Sequence, residues 1–468
     1  MNRRLRHSIS MACALAGALS IGPAFADTLE WALIQAYQNN PSLNAQRAAT
    51  RAVDENVPQA LSGYRPRISG TASLTEQYVD VVAKSSANLP ATTARAAGET
   101  TVQSYGTTVT QTLLNGFQTA NRTRQAETQV SAARETLRNS EQTVLLAAVT
   151  AYMNLLRDSA ILDLQRRNVE VLQEQLRQTR DRFNVGEVTR TDVAQADSRL
   201  AAGRSSMLAA ESNYITSRAT YRQVIGADPG KLAPATPVDR LSPSSLRQAI
   251  AVGRSTHPTV TTAIFNVDTA LFQVKIAEGA LYPTVNLVGS AQQTYGAIGS
   301  LTTIKSFNGS VAGQMTVPIY QGGAEYSLIR QAKETLSQRR IDLDTARDQA
   351  QQTVVQSWGQ LEAAKAQIQS TQAQVAAAEI ALNGVREEAR VGQRTTRDVL
   401  NAQQELVNAR VALVTAQRDR VVASYTLLAA VGRLSPRTLG LSVPTYDPLL
   451  HYHQVRDVWA GVRTPDGK

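Results

Sequence analysis

Residues 391–430 read VGQRTTRDVLNAQQELVNARVALVTAQRDRVVASYTLLAA. Past the Val391-Gly392 turn, Val399, Leu406, Leu413 and Leu427 fall on a seven-residue grid broken only by Arg420, while Ala402, Ala409, Ala416, Ala423 and Ala430 repeat at seven without a break. One large row beside one small row is the pattern of coiled-coil helices whose backbones approach closely. The stretch before the turn carries the same device, with Val354, Leu361, Ile368, Val375 and Leu382 in one row and Ser357, Ala364, Thr371, Ala378 and Val385 in another. The spacing predicts one helix from about Ala324 to Arg390. At 1.5 Å per residue it would run about 100 Å, roughly three times the width of an ordinary domain. Its other faces are Gln, Ser, Thr, Arg and Glu, which suit water or other polar helices.

The same text occurs earlier in the chain. Gly116, Arg124-Gln125-Ala126, Tyr152, Leu155, Val185-Gly186, Asp192-Val193 and Gly226 match Gly322, Arg330-Gln331-Ala332, Trp358, Leu361, Val391-Gly392, Asp398-Val399 and Gly432 at an offset of 206. Leu29, Ala32, Asn40-Pro41 and Arg65-Pro66 match Leu246, Ala249, His257-Pro258 and Tyr282-Pro283 at 217, so one insertion of 11 residues separates the two series. The chain is a tandem repeat. The repeats are expected at 27–226 and 244–434, joined by a Pro-rich linker at 227–243 and followed by a strap and tail at 435–468. Each repeat reads as a helical segment (about Thr28 to Leu61; Ser244 to Gly279), a β-hairpin (about 65–114; 283–320), a long helix, a tip turn (184–192; 390–398) and a last helix.

Within the hairpins the period drops from seven to two. Arg67, Ser69, Thr71, Ser73, Thr75 and Gln77 alternate with Ile68, Gly70, Ala72, Leu74, Glu76 and Tyr78. Asn286, Ser290, Gln292 and Thr294 alternate with Val285, Leu287, Ala291 and Tyr295, and Asn308, Ser310, Gln314 and Thr316 with Phe307, Val311, Met315 and Val317. Val102 to Leu114 is weaker but compatible. The result is four strands with one uncharged polar face and one apolar face.

Arg3, Arg4 and Arg6, the apolar stretch Ile9 to Ile21 and Ala24-Phe25-Ala26 form a secretory signal peptide over residues 1–26. Cys13 has Ser10 three places upstream, where a lipobox needs an aliphatic residue. Cleavage removes the only cysteine, and the loss of three arginines lowers the formal charge from +10 to +7. No thiolate metal site or disulfide can form in the mature chain. Beyond the signal no transmembrane helix is expected, which leaves a free exported protein or a β-barrel as the alternatives. Four strands cannot close a barrel, whose minimum is about eight. Two chains would give eight and a filled lumen; three would give twelve and an open one.

Val317-Pro318-Ile319-Tyr320-Gln321-Gly322-Gly323, Arg182-Phe183-Asn184-Val185-Gly186 with Thr191-Asp192-Val193, and Val391-Gly392 with Asp398-Val399-Leu400 resemble the signatures of the TolC family of outer membrane exit ducts, in register from Thr28 to about Leu439. The resemblance implies a mainly α fold with a β-barrel portion. In it a homotrimer builds a twelve-stranded barrel in outer membrane lipid, continuous with a helical barrel in the periplasm. The implied partners are a periplasmic adaptor and either an inner-membrane transporter of the resistance-nodulation-division type or a type I secretion ATPase, with cargo ranging from drugs to proteins. It further implies that Val185, Gly186, Val391 and Gly392 form adaptor-docking tips. Asp398 would ring the closed entrance, with Asn401 where a second aspartate is usual, and Arg394 would tie one coiled coil to Thr191 and Asp192 of its neighbour. Ala389 stands where the family often has a tyrosine.

No G-x-S-x-G, P-loop or H-E-x-x-H occurs, so neither enzyme activity nor a cofactor is expected. His257 precedes Pro258 as a helix-end residue, and His451 and His453 lack the neighbours of a metal site. The positive charge lacks the basic runs interleaved with aromatics that nucleic acid would need. Besides a transport duct, the residues alone allow an exported coiled-coil scaffold that binds polymer and spans nothing.

Overall fold

The computed structural model describes residues 27–84, 93–296, 304–465 and 467; the expected signal peptide lies outside them. In chain order the elements are α1 (Leu29–Asn39), α2 (Pro41–Asp54), α3 (Asn56–Leu61), β1 (Arg67–Lys84), β2 (Thr93–Asn115), α4 (Gln118–Asn184), α5 (Arg190–Ile225), α6 (Leu246–Thr256), α7 (Pro258–Gly279), β3 (Thr284–Gly296), β4 (Ile304–Thr316), α8 (Ala324–Arg390), α9 (Thr396–Ala430) and α10 (Pro448–Val455). α4 and α8 each have 67 residues, about 100 Å of unbroken helix.

The first helical segment of each repeat is not continuous, contrary to the reading of Thr28 to Leu61 and Ser244 to Gly279. α1 stops at Asn40, whose side chain accepts from the Ser42 and Leu43 amides and caps α2. His257 caps α7 in the same way, its Nδ1 accepting from the Thr259 amide. In both cases a proline follows in the first turn of the new helix. Proline fits there but restricts the residue before it to an extended backbone.

α4 forms an antiparallel hairpin with α5, and α8 with α9. α4 also packs against α9 and α7, and α7 against α8. Towards the tips the row therefore runs α5, α4, α9, α8. Its two outer members keep large apolar side chains in the open: Leu208 and Ile215 on α5, and Ile341, Val355 and Ile380 on α8.

The main core is a belt halfway along the long helices. Leu33, Ala36 and Leu43 from α1 and α2 meet Leu145, Ala148, Tyr152 and Leu155 of α4, Tyr221 and Ile225 of α5, Val354 of α8 and Leu427 and Leu428 of α9. The Tyr152 hydroxyl reaches the carbonyls of Asp27 (2.7 Å) and Ala233 (2.6 Å), so one buried phenol joins the N-terminus to the linker. One stretch of α4 is apolar enough by length and composition to cross a membrane, although no transmembrane helix is expected beyond the signal. Half of it is buried, and Leu145, Ala148, Val149, Tyr152 and Leu155 account for its apolarity as residues of the core belt.

The strands form one antiparallel sheet in the order β1-β2-β3-β4, so the hairpins of the two repeats are hydrogen-bonded to each other through β2 and β3. The register places Ile68, Leu74, Val109, Tyr105, Leu287, Tyr295, Phe307, Val311 and Met315 on one face. The other face carries Ser69, Thr71, Ser73, Ser104, Thr108, Ser290, Gln292, Asn308 and Ser310. On it the Ser73 and Ser104 hydroxyls meet at 2.7 Å and the Ser290 and Ser310 hydroxyls at 2.8 Å. β1 and β2 run longer than the Arg67 to Tyr78 and Val102 to Leu114 expected. Their excess pairs only with itself, beyond the last β2 to β3 pair at Gln103 and Tyr295.

Candidate gate and docking tips

The two ends of the molecule carry the candidate function. At the sheet end, none of the described residues packs on the apolar face. Ile68, Leu74, Phe307, Val311 and Met315 are all exposed, an arrangement that water would penalise and lipid would not. Within the four-stranded portion the charged residues are Arg67 and Lys305, both at its margins, whereas the two-stranded excess holds Glu76, Asp80, Lys84, Arg95 and Glu99. Thirteen residues of β3 or β4 at about 3.4 Å each and a tilt of about 45° span roughly 30 Å, the thickness of a bilayer's hydrocarbon core. Exposed Tyr64, Phe117, Tyr282 and Tyr320 stand where the strands meet the helices, and Tyr78, Tyr105 and Phe307 towards the far margin. These are two aromatic girdles flanking an apolar band.

At the opposite end are the helix-hairpin tips, built identically. α4 runs out at Val185, and Gly186 takes φ 84°, so that the Glu187 amide returns to the Arg182 carbonyl at 2.9 Å. α8 runs out at Val391, Gly392 takes φ 78°, and the Gln393 amide returns to the Glu388 carbonyl at 2.9 Å. A Cβ at either glycine would meet nothing within 4 Å, so the backbone conformation alone demands glycine there. Val185 and Val391 are 72% and 70% exposed, an apolar point on each tip.

The next helix starts with a capping box in both tips, Thr189 with Asp192 and Thr395 with Asp398. The Asp192 carboxylate accepts from the Thr189 hydroxyl (2.7 Å) and amide (2.9 Å), and the Asp398 carboxylate from the Thr395 hydroxyl (2.9 Å) and amide (3.1 Å). The Thr189 hydroxyl, then its amide, hold Asp192 below the usual carboxylate range; for Asp398 the Thr395 amide leads, then its hydroxyl. The T-x-x-D spacing of Thr189 with Asp192 and of Thr395 with Asp398 is the local sequence signal for these caps.

Arg394 lies on its own hairpin, its Nε 2.8 Å from Glu388 Oε2, which raises the already high guanidinium pKa. Within one chain, therefore, Arg394 is with Glu388 and Asp192 with Thr189; Thr191 lies exposed in the first turn of α5, and Ala389 lends its carbonyl to the Gly392 amide. Asn401 has a partner that sequence spacing could not reveal: Arg199 of α5 donates Nη2 to its Oδ1 at 2.7 Å. Beside it Leu400 is 4% exposed, seated among Val169, Leu172, Leu176, Ala196 and Leu200 of the other hairpin. Leu400 and Asn401 join the two hairpins within a chain about one turn above the tips.

A family model described as outer membrane efflux protein matches the chain over residues 32–227 and again over 253–433. The chain is 43% identical over 462 residues to the outer membrane efflux protein BepC of Brucella suis biovar 1 (strain 1330), covering 98% of this chain and 97% of that one. It is 27% identical over 317 residues to the outer membrane protein TolC of Escherichia coli (strain K12), covering 65% and 64%. Its fold is similar to the crystal structure of the Campylobacter jejuni CmeC outer membrane channel, with a TM-score of 0.73 at 17% identity over 97% of this chain and 98% of that one.

Proposed function

The chain belongs to the outer membrane efflux protein family, and from that premise we propose how one chain contributes to a gated duct. The protein is an outer membrane channel of the kind that serves efflux and type I secretion, with its helices in the periplasm and its sheet in the membrane. Three copies close the barrel. The four strands among the described residues leave β1 and β4 as free edges, and a free edge is not tolerated in lipid, so the edges of neighbouring copies pair. The same ring covers Leu208 and Ile215 of α5 with α8 of the next copy, on which Val355 and Ile380 are likewise exposed. The observation that carries this reading is the apolar sheet face, exposed in one chain and bounded by charge and aromatics.

At the periplasmic mouth, Arg394 of one coiled coil reaches Thr191 and Asp192 of its neighbour when the duct is closed. To do so it exchanges Glu388 for that partner, and both ion pairs lie in water, where solvent screening leaves such a pair weak. A docking protein can therefore reverse the exchange. Three copies of Asp398 make one acidic ring, and Asn401 makes a neutral one. The adaptor grips the Val185-Gly186 and Val391-Gly392 tips, and the inner-membrane partner, a resistance-nodulation-division transporter or a type I secretion ATPase, feeds the mouth. The chain itself supplies a path and no chemistry. A photo-crosslinking residue at Val391 in living cells tests the docking: it is expected to capture a periplasmic adaptor, and capture no greater than from a mid-helix position such as Gln356 would overturn it. A coiled-coil scaffold that spans nothing has no use for an exposed apolar sheet of bilayer height.

A further inference from the structure

The chain beyond Leu439 lies outside the two repeats, yet it is pinned to them at several points. The Tyr446 amide donates to the Tyr37 hydroxyl at 3.1 Å, with the Arg47 guanidinium 4.5 Å from the Tyr37 ring and 5.4 Å from the Tyr446 ring. His451 Nδ1 lies 3.1 Å from Asp54 Oδ2, both buried. Arg134 stands 4.9 Å over the Tyr452 ring, and Arg456 is 3.6 Å from Glu127. Two of these partners, Arg134 and Glu127, step back along α4 by seven residues, and Tyr37 bonds Glu141 at 3.1 Å one step earlier on the same face. The strap thus climbs one face of α4 from the core belt towards the sheet.

It ends at the foot of β1. Arg65 donates Nη1 to the Val458 carbonyl at 2.7 Å and places its guanidinium 4.7 Å from the Trp459 ring. The strap buries His451 and Val455 on the way, then leaves Trp459 71% and Val462 fully exposed. Arg65 lies two residues before β1 and next to exposed Tyr64, so Trp459 joins the aromatic girdle at the strand-helix junction. Over residues 456–463 there are two arginines and one acid, Asp457. An indole with apolar neighbours and guanidinium groups is the composition of a membrane-water interface. Guanidinium also binds phosphate bidentately, and Arg65 has further N–H donors besides the one on Val458.

We propose that Trp459, Val462, Arg65 and Arg463 form a phospholipid-binding site on the periplasmic leaflet of the outer membrane, with the indole at the acyl boundary and the guanidinium groups on the headgroup phosphate. The strap holds the helical barrel against the membrane at a fixed height. The site rests on the sheet lying in the membrane.

The test uses the full-length protein in phosphatidylethanolamine and phosphatidylglycerol vesicles whose acyl chains carry bromine either near the headgroup or near the chain end. The chain has three tryptophans, and Trp31 and Trp358 pack against the core belt, so bromine quenching reports Trp459. Shallow bromines are expected to quench more strongly than deep ones. Trp459→Phe should lose the quenching, and Arg65→Gln with Arg463→Gln should weaken it while vesicle flotation is unchanged. A protein that floats with vesicles but shows water-like, unquenched Trp459 emission overturns the proposal. So does blue-shifted emission without quenching, which would place Trp459 against a second copy of the chain. A protein that does not float overturns the membrane placement itself and the proposal with it.

Discussion

Arg199 of the first repeat donates a 2.7 Å hydrogen bond to Asn401 of the second, 202 residues later, directly beside the buried Leu400. The two hairpins of one chain are thereby clasped near the mouth, apart from any tie between coiled coils. Opening by splaying one hairpin from the other has to withdraw Leu400 from its apolar seat.

Leu400→Ala should therefore favour the open mouth. Truncating a buried leucine costs roughly 2 to 5 kcal/mol, and the lower end suits a seat at a hairpin surface. Cells carrying the variant should become more sensitive to an antibiotic too large for the closed duct, with unchanged amounts of protein in the outer membrane; equal sensitivity would remove Leu400 from the clasp.

Asn401→Asp turns the neutral acceptor of Arg199 into a charged one and adds one carboxylate per chain to the mouth. A charge-assisted bond is roughly twice as strong as a neutral one, so the closed state should tighten. Reversal potentials in a salt gradient should shift towards cations, and an unshifted value would place Asn401 away from the conduction path.

The two sheet faces predict opposite outcomes for the same substitution. Val311 is exposed on the apolar face and Ser310 lies on the polar one. Arginine on the lipid face near mid-bilayer costs about 2 to 4 kcal/mol, so Val311→Arg should lower barrel assembly, measured as heat-resistant oligomer on gels. Ser310→Arg should assemble normally and reduce cation conductance. Equal assembly of the two variants would contradict the lipid assignment.

Much of this was legible because the constraints are periodic. The heptad rows from Val354 to Ala430 and the alternation from Arg67 to Tyr78 express burial on one face, and burial repeats with the backbone. Past Tyr78 the text Val79-Asp80-Val81-Val82 loses its alternation. That part of β1 pairs only with β2, above the apolar band, and no face is dictated, so the strand's true length was hidden. The Arg199 to Asn401 bond and the strap on α2 and α4 join residues far apart in sequence, with no local signal. The capping boxes differ: Thr189 and Thr395 could have been named from their spacing to Asp192 and Asp398.

Those caps give the tips a pH dependence. Asp192 and Asp398 have folded pKa values below the ordinary carboxylate range, so each stabilises its tip at pH above the unfolded value of about 4 and loses that contribution as pH falls through the lower, folded value. Amide exchange at Asp192 and Asp398 should be protected at pH 6 and accelerate below about pH 4 beyond the intrinsic rate. Thr395→Val should remove the protection at Asp398 already at pH 6.

The buried phenol of Tyr152 acts at the other end of the scale. Burial raises its pKa to about 12, above the unfolded value of 10.0. Its contribution is whole below pH 10 and is lost as pH rises through about 12. Tyr152→Phe removes a hydrogen bond joining the N-terminus to the linker and should cost about 1 to 2 kcal/mol at pH 7. In return, thermal unfolding of the variant should be less sensitive to pH between 10 and 12 than that of the parent.

Single-channel conductance of the purified protein in planar bilayers tests the gated duct most directly. The parent should insert as a channel of small conductance, and Arg394→Ala or Asp192→Asn, by removing the proposed tie between coiled coils, should raise that conductance several-fold. Absence of channels from the parent, or channels of equal conductance in all three proteins, would contradict it.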